Sequence, residues 1–321
     1  MSAPAPTLPP PVPAVPETFF GRQQEGRAVI LSARAGRSVV LVAPTGYGKS
    51  ALLRELAPAL EQLAATVVVP KIAPFGTFLV DLAEQLAAVP DFRLPDSSDP
   101  KKKPLDAWKS AHKGTDARAR SLVAALREYT QGGIAAPVVL VDDCTGITQS
   151  MVPHLLALAE VCSLVVAVQP DTMRKAGLSR FWGKCDRVDL NPLDRAEARE
   201  LVDALTVKYN IVAQDMGAYK NRVLSLAEGI PGEAERLVRY VSTHDLVKPS
   251  DIGSSFAQQA AQREERGIAL APVLLVLGGV AMVTKYVGLA RGEMDMYLMG
   301  GVGIAFFMVA GPFLRKLVMV R

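Results

Sequence analysis

Leu41-Val42-Ala43-Pro44-Thr45-Gly46-Tyr47-Gly48-Lys49-Ser50 is the stretch on which the fold turns. An apolar run, Ser38 to Val42, leads into it, and Ala51-Leu52-Leu53-Arg54-Glu55-Leu56 leaves it with a helical pattern. A strand, a glycine-rich turn and a helix in that order form the setting of a phosphate-binding loop. The glycines let backbone N–H groups turn inward at phosphate oxygens, and the helix N-terminus adds the positive end of its dipole. On this reading Pro44, Thr45, Gly46, Tyr47, Gly48, Lys49, Ser50 and Ala51 surround the phosphates of ATP. Lys49 reaches the β- and γ-phosphates, serving catalysis as well as binding, and the Ser50 hydroxyl holds Mg²⁺. The pattern G-x-x-x-x-G-K-[ST] is met except at its first position, where Ala43 stands in place of glycine.

A second nucleotide motif lies about 90 residues further on, in Val138-Val139-Leu140-Val141-Asp142-Asp143. It reads as a buried strand that ends in two carboxylates. Beside a phosphate loop such a pair divides the work. Asp142 takes the Mg²⁺ side, usually through a metal-bound water, and Asp143 polarises the attacking water. Val67-Val68-Val69 and Leu164-Val165-Val166-Ala167-Val168 are further strand candidates, and Phe78 to Ala88 has amphipathic helical spacing. Strands alternating with helices predict a parallel α/β sheet with the phosphate loop at its carboxyl edge.

Shorter motifs surround these two. Phe20-Gly21-Arg22 with Glu25 precedes the loop by about 20 residues. Leu190-Asn191-Pro192-Leu193 is followed by Glu197, Ala198 and Leu201, and Gly229-Ile230-Pro231 comes after them. Taken in order, they resemble the F-x-G-R-x-x-E opening, the L-x-P-L…E-A…L approach to the helical lid and the G-x-P motif of AAA+ ATPases of the origin-recognition and STAND kind. The resemblance covers roughly Phe19 to Val241. It implies that Arg22 lies near the nucleotide and Pro231 close to the adenine. Gln169, ending the strand 164–168, falls where these families place a polar γ-phosphate sensor, for which glutamine is an uncommon occupant. Ser179-Arg180-Phe181 resembles the S-R-F segment that carries an arginine finger, so Arg180 would stabilise the transferring phosphoryl group of a neighbouring subunit. A surface cation on a loop is the plainer alternative for Arg180. Where the lid often carries a sensor arginine beside its G-x-P, this chain has Gly232, with Arg236 and Arg239 one and two turns on. The resemblance also implies a homo-oligomer.

The chain changes character near its C-terminus. Gly267 to Thr284 is a run of 18 residues without a charge, and Met296 to Leu314 one of 19. Each is long enough to cross a hydrocarbon core of about 30 Å as a helix. Lys285 ends the first run but can snorkel, which would extend that helix to Ala290. Gly301 and Ala305 form a small-xxx-small pair that could bring the two helices close. Arg263, Arg266, Arg315, Lys316 and Arg321 flank the pair on one side. Its connecting loop has Lys285 and Arg291 offset by Glu293 and Asp295. The positive-inside rule then predicts a multi-pass protein of the cell (inner) membrane, with both chain ends and the ATPase domain in the cytoplasm.

Composition adds little. Three cysteines, Cys144, Cys162 and Cys185, have no C-x-x-C spacing and suggest a reducing compartment; the three histidines show no metal-ligand spacing. A net charge of +4 is too small to argue for nucleic acid. Met1 to Pro16 holds seven prolines and no charge, the pattern of a polyproline-like tail rather than a signal peptide. Pro90 to Gly114 reads as a polar insertion in which Lys101-Lys102-Lys103 stands near Trp108. Contact with phosphate backbones or anionic lipid is one use for such a run, and a solvated loop is the simpler one.

The expected fold class is therefore α/β, a P-loop NTPase parallel sheet with a small helical lid, followed by two transmembrane helices. The expected boundaries are a Pro-rich tail (1–18), the P-loop domain (19–191), the lid (192–245), a linker (246–266), the membrane hairpin (267–314) and a basic tail (315–321). The span between lid and hairpin is too short for a winged-helix DNA reader, so nucleic acid is not a favoured partner. The leading expectation is a membrane-anchored ATPase acting on an unidentified membrane partner. The alternatives are a nucleotide-gated signalling or defence switch with the hairpin as effector, and an anchored adaptor for DNA processing or secretion.

Overall fold

Ser38–Val42 (β1) is buried at every position, which a strand achieves only in the middle of a sheet covered on both faces. The computed structural model describes residues 21–96, 103–242 and 270–303, apart from the side chains of 270–278 and 281. Its chain divides into two units, Met1–Ile252 and Gly253–Arg321.

In the first unit, Gln23–Arg34 (α1) precedes β1, and Lys49–Glu61 (α2) follows the phosphate loop. Then come Thr66–Lys71 (β2), Phe75–Ala87 (α3), Pro104–Ala111 (α4), Thr115–Gln131 (α5) and Val138–Asp143 (β3). A short 3-10 turn leads into Val152–Ala159 (α6), followed by Ser163–Val168 (β4), Pro170–Met173 (α7), Ser179–Trp182 (α8) and Cys185–Asp189 (β5). All strand pairs are parallel, in the order β2-β3-β4-β1-β5. Successive side chains of a strand point to opposite faces. Accordingly Val39, Leu41, Leu140 and Val165 join α1 and α2 in one core, while Val40, Val42, Val139 and Val166 join the helices of the opposite face in another. The sheet order sets β4 between the loop strand and the acid strand. Gln169, at its end, therefore stands between the two nucleotide motifs.

Arg195–Lys208 (α9), Met216–Ala227 (α10) and Pro231–Val241 (α11) pack together within the stretch expected to form the helical lid. Asp194 caps α9 in a capping box: its carboxylate accepts from the Glu197 N–H while Glu197 Oε2 accepts from the Asp194 N–H. Pro231 opens α11 at a position where its missing N–H costs nothing.

Three differences from the sequence reading concern local structure. The segment 90–114 is not simply a polar loop, because it contains α4. Trp108 lies wholly buried there and donates from Nε1 to Ser121 Oγ over 2.9 Å, so it is not available to stack on a nucleic-acid base. The helix predicted from Phe78 starts at Phe75, and β5, which carries charges at three of its five positions, was not foreseen. All three cysteines are free thiols, and burial pushes those of Cys162 and Cys185 up to about 12.

In the second unit, Leu270–Arg291 (α12) is a 22-residue helix, and residues 294–303 are helical after a turn at Gly292. A Cβ on Gly288 would stand 2.5 Å from the Tyr297 nitrogen, and one on Gly300 would collide with the Lys285 backbone. These two glycines let the helices meet. Among the described residues nothing lies within contact of a Cβ on Gly301, the predicted contact residue, and Ala305 lies outside them. The Lys285 ammonium sits 5.5 Å from the centre of the Tyr297 ring. Among the described residues no helix is long and apolar enough to cross a membrane. Of the predicted spans, residues 267–269 and 304–314 lie outside those residues, as do the Pro-rich tail, the linker and the basic tail.

Candidate functional site

The phosphate loop is shaped by two glycines with left-handed φ, Gly46 at +90° and Gly48 at +89°. Ala43 needs no such freedom. It is buried at the end of β1, and its contribution is a carbonyl: Lys49 Nζ donates to Ala43 O over 2.6 Å and to Pro44 O over 2.8 Å. With no left-handed φ required there, alanine serves at the first position of the motif as well as glycine would. Burial lowers the pKa of Lys49 from its ordinary value, while the charges of Asp142 and Asp143 oppose that shift.

A cleft of about 920 Å³ lies over the carboxyl edge of the sheet. Its walls include Thr45, Gly46, Gly48, Lys49, Ser50 and Ala51 of the loop, Asp142 and Asp143 of the acid strand, Gln169 of β4, and Pro231 of the lid. One cavity thus collects residues from the loop, the acid strand, β4 and the lid motif, but not Arg22, Pro44, Tyr47 or Arg180. Gln169 Nε2 donates to Thr45 Oγ1 over 3.1 Å, linking the strand end to the loop. Pro44 and Tyr47 face a second, smaller hollow of about 560 Å³ on the other flank of the loop.

The acids differ in their surroundings. Asp143 Oδ1 accepts from the Thr145 N–H over 2.9 Å and from its hydroxyl over 2.7 Å. Burial pushes the Asp143 carboxyl up. The two Thr145 hydrogen bonds and the charges of Lys71 and Lys49 outweigh it and hold the carboxyl below its ordinary value. Thr145 was missed in the sequence, although Asp followed two residues later by Thr is a local turn signature. Asp142 Oδ1 is buried and has no hydrogen-bond partner among the described residues. A lone carboxylate oxygen in a cleft that also holds the Ser50 hydroxyl fits a hydrated Mg²⁺, which takes few protein ligands and several waters.

Arg22 and Arg180 lie outside the cleft walls. Arg22 is only 3% exposed. Its guanidinium donates to Glu25 Oε1 over 3.0 Å, to Tyr47 O over 3.3 Å and to Asn191 O over 2.6 Å. The structure therefore places it behind the loop, joined to backbone carbonyls. Gly21 belongs to the same joint: at φ +65°, its Cα faces Glu197 so closely that a Cβ would clash. Arg180 is exposed on α8, held in place by the buried neighbours Phe181 and Trp182. Of the lid cations, Arg236 pairs with Glu233 and Arg239 is exposed; it is Lys208 that lines the cleft. There it donates to Glu235 Oε1, which also accepts from the Tyr209 hydroxyl over 3.0 Å.

A parallel sheet with this strand order, a lysine-bearing glycine loop on β1 and paired acids on β3 define a P-loop NTPase. The family model of Novel STAND NTPase 1 (nSTAND1) matches residues 13–224, well over half of the chain, and the chain belongs to that family. No curated protein is close enough in sequence to match. Among solved structures the chain is similar to the Thermotoga maritima RuvB Holliday junction branch migration motor, at 12% identity, a TM-score of 0.42 and coverage of 77% of this chain and 72% of that one. It is also similar to a mutant of the same RuvB at 15% identity and a TM-score of 0.46, with 78% and 73% covered.

Proposed function

We propose that the chain is a membrane-anchored switch that binds ATP with Mg²⁺ and hydrolyses it, with the nucleotide controlling association between copies. The observation that carries this reading is the single cleft walled by Lys49, Ser50, Asp142, Asp143, Gln169 and Pro231. Lys49 neutralises the β- and γ-phosphates. Ser50 and Asp142 would hold Mg²⁺, which would supply further neutralisation of phosphate charge. Asp143 has one oxygen occupied by Thr145, which leaves the other to orient a water at the γ-phosphorus and accept its proton as the bond to ADP breaks. Arg180 acts on a neighbouring copy's cleft, which agrees with its exposure outside its own.

Membrane anchoring is supported by the second unit, where Val280, Val283, Tyr286, Leu289, Met294, Leu298 and Met299 are all more than half exposed. So much apolar surface on two adjacent helices suits a hydrocarbon surround. The same surface favours a second reading, in which clustering of the hairpins is itself the output and the target is the bilayer. Nucleic acid gains no support, since the aromatic beside the lysine run is buried.

ATP turnover by the full chain in detergent tests the enzyme reading. Lys49→Ala should weaken nucleotide binding at least tenfold, as expected for a lost charge-assisted contact. Asp143→Ala should bind normally but turn over about 10²–10⁴-fold more slowly. Binding without turnover at any protein concentration would leave a nucleotide-binding switch and remove the hydrolase. For the anchor, deletion of 267–321 should move the protein from carbonate-washed membranes to the supernatant. Membrane depolarisation that needs those residues would favour the effector reading.

A further inference from the structure

A trans peptide holds its C=O and N–H in opposite directions, so fixing one carbonyl aims the N–H of the next residue. Two carbonyls of the phosphate loop are fixed from outside it. The Gly232 N–H, in the first turn of α11, donates to Gly46 O over 2.8 Å. Arg22 donates to Tyr47 O over 3.3 Å while also holding Asn191 O, at the root of the lid, over 2.6 Å. The N–H groups on the far sides of those two peptides are those of Tyr47 and Gly48. Among the described residues, no backbone hydrogen bond engages either.

We propose that Gly232 and Arg22 are positioning residues for the nucleotide, through which the lid grips the phosphate loop itself. Pulling the Gly46 and Tyr47 carbonyls outward turns the Tyr47 and Gly48 N–H groups inward, toward the phosphates. The substance of this inference rests on the reading of the cleft as an ATP site. Glycine at 232 follows from the geometry: a Cβ there would stand 2.8 Å from Gly46 Cα and 2.9 Å from Gly46 O. Both are backbone atoms and cannot swing aside. A sensor arginine at this position would hold the lid away from the loop. Arg22 is the one charged side chain among the buried described residues, and Glu25 neutralises it. Its forked guanidinium reaches the loop and the lid root together, which a single ammonium cannot do. Opening the lid would release the Gly46 carbonyl and draw Asn191 away from Arg22, so the phosphate loop would lose its shape before the nucleotide leaves.

The test uses the full chain in detergent, with two independent readouts. Hydrogen exchange across residues 44–50 is measured without nucleotide, and dissociation of a fluorescent ATP analogue is measured separately. Gly232→Ala and Arg22→Lys should both speed exchange in the loop and dissociate the analogue about tenfold faster, the effect of misaiming one donor to a phosphate. Gly76→Ala, whose new Cβ would meet Thr115 Oγ1 at an ordinary 3.9 Å, should change neither. Unaltered loop exchange in both variants, with faster exchange confined to the lid, would overturn the proposal. If the unaltered chain binds no analogue, the ATP-site reading falls, and the exchange experiment still decides whether lid and loop are tied. Should Gly232→Ala not fold, Arg22→Lys tests the grip from the other carbonyl.

Discussion

At Asp143 the chain shows how a neighbour two residues away sets the chemistry of a carboxylate. With Thr145 donating twice, the acid stays ionised to lower pH than an ordinary aspartate, and that is the form able to take a proton from water. Thr145→Val removes the hydroxyl donor, so the Asp143 pKa should rise and the acid limb of ATP turnover should move to higher pH. Thr145→Ser should restore it. A pH–rate profile of the three proteins checks this, and an unmoved acid limb would assign the limb to another group. Lys49 titrates in the opposite sense. Burial lowers its pKa, so its charge, and nucleotide affinity with it, should be lost at a lower pH than for a free lysine. The chemical residues were legible because each sits in a short local pattern. Thr145 has such a pattern too, though a weaker one. The true position of Arg22 was not legible, since its partners Tyr47 and Asn191 are brought to it from 25 and 169 residues away.

Elements built from uninterrupted apolar runs, β1, β3 and β4, could be read directly, because a strand buried on both faces has no polar positions to confuse the pattern. β5 could not. It lies at the sheet edge with one partner strand, and its Cys-Asp-Arg-Val-Asp sequence satisfies water as much as the core. The α4 segment misled for the opposite reason: a polar, charged stretch conceals one large apolar anchor. Trp108→Ala should destabilise the first unit by about 3–5 kcal/mol through the cavity left behind. Trp108→Phe should cost less, mainly by leaving the Ser121 hydroxyl without its donor. Denaturant unfolding of both variants measures the difference, and equal, small effects would mean that α4 contributes little to the core.

For the molecule as a whole, the sequence divided into a nucleotide unit and an apolar C-terminal unit, and the structure divides at Ile252–Gly253. Helix contact in the C-terminal unit depends on Gly288 and Gly300, where side chains would collide with the opposite backbone. Gly300→Leu should therefore separate the two helices. Introduced cysteines at 289 and 298 would report the change as altered thiol accessibility; unchanged labelling would indicate that the pair stays closed by other contacts. Gly301 drew attention in the sequence because its spacing from Ala305 matched a known pattern. Which glycine faces inward depends on helix rotation, and spacing alone does not give it.

The charged border formed by β5 has a consequence for crowding. An open sheet invites foreign strands along its unsatisfied rim, and a hydrophobic rim is a seed for aggregates. Here the rim carries Asp186 bound to Ser32 and Arg37, and Arg187 forked onto Asp189 at 2.7–3.0 Å. A strand approaching that border would have to strip water from four ionic groups. Along β5, at least, a second copy of the sheet would therefore meet bound charge instead of an apolar rim.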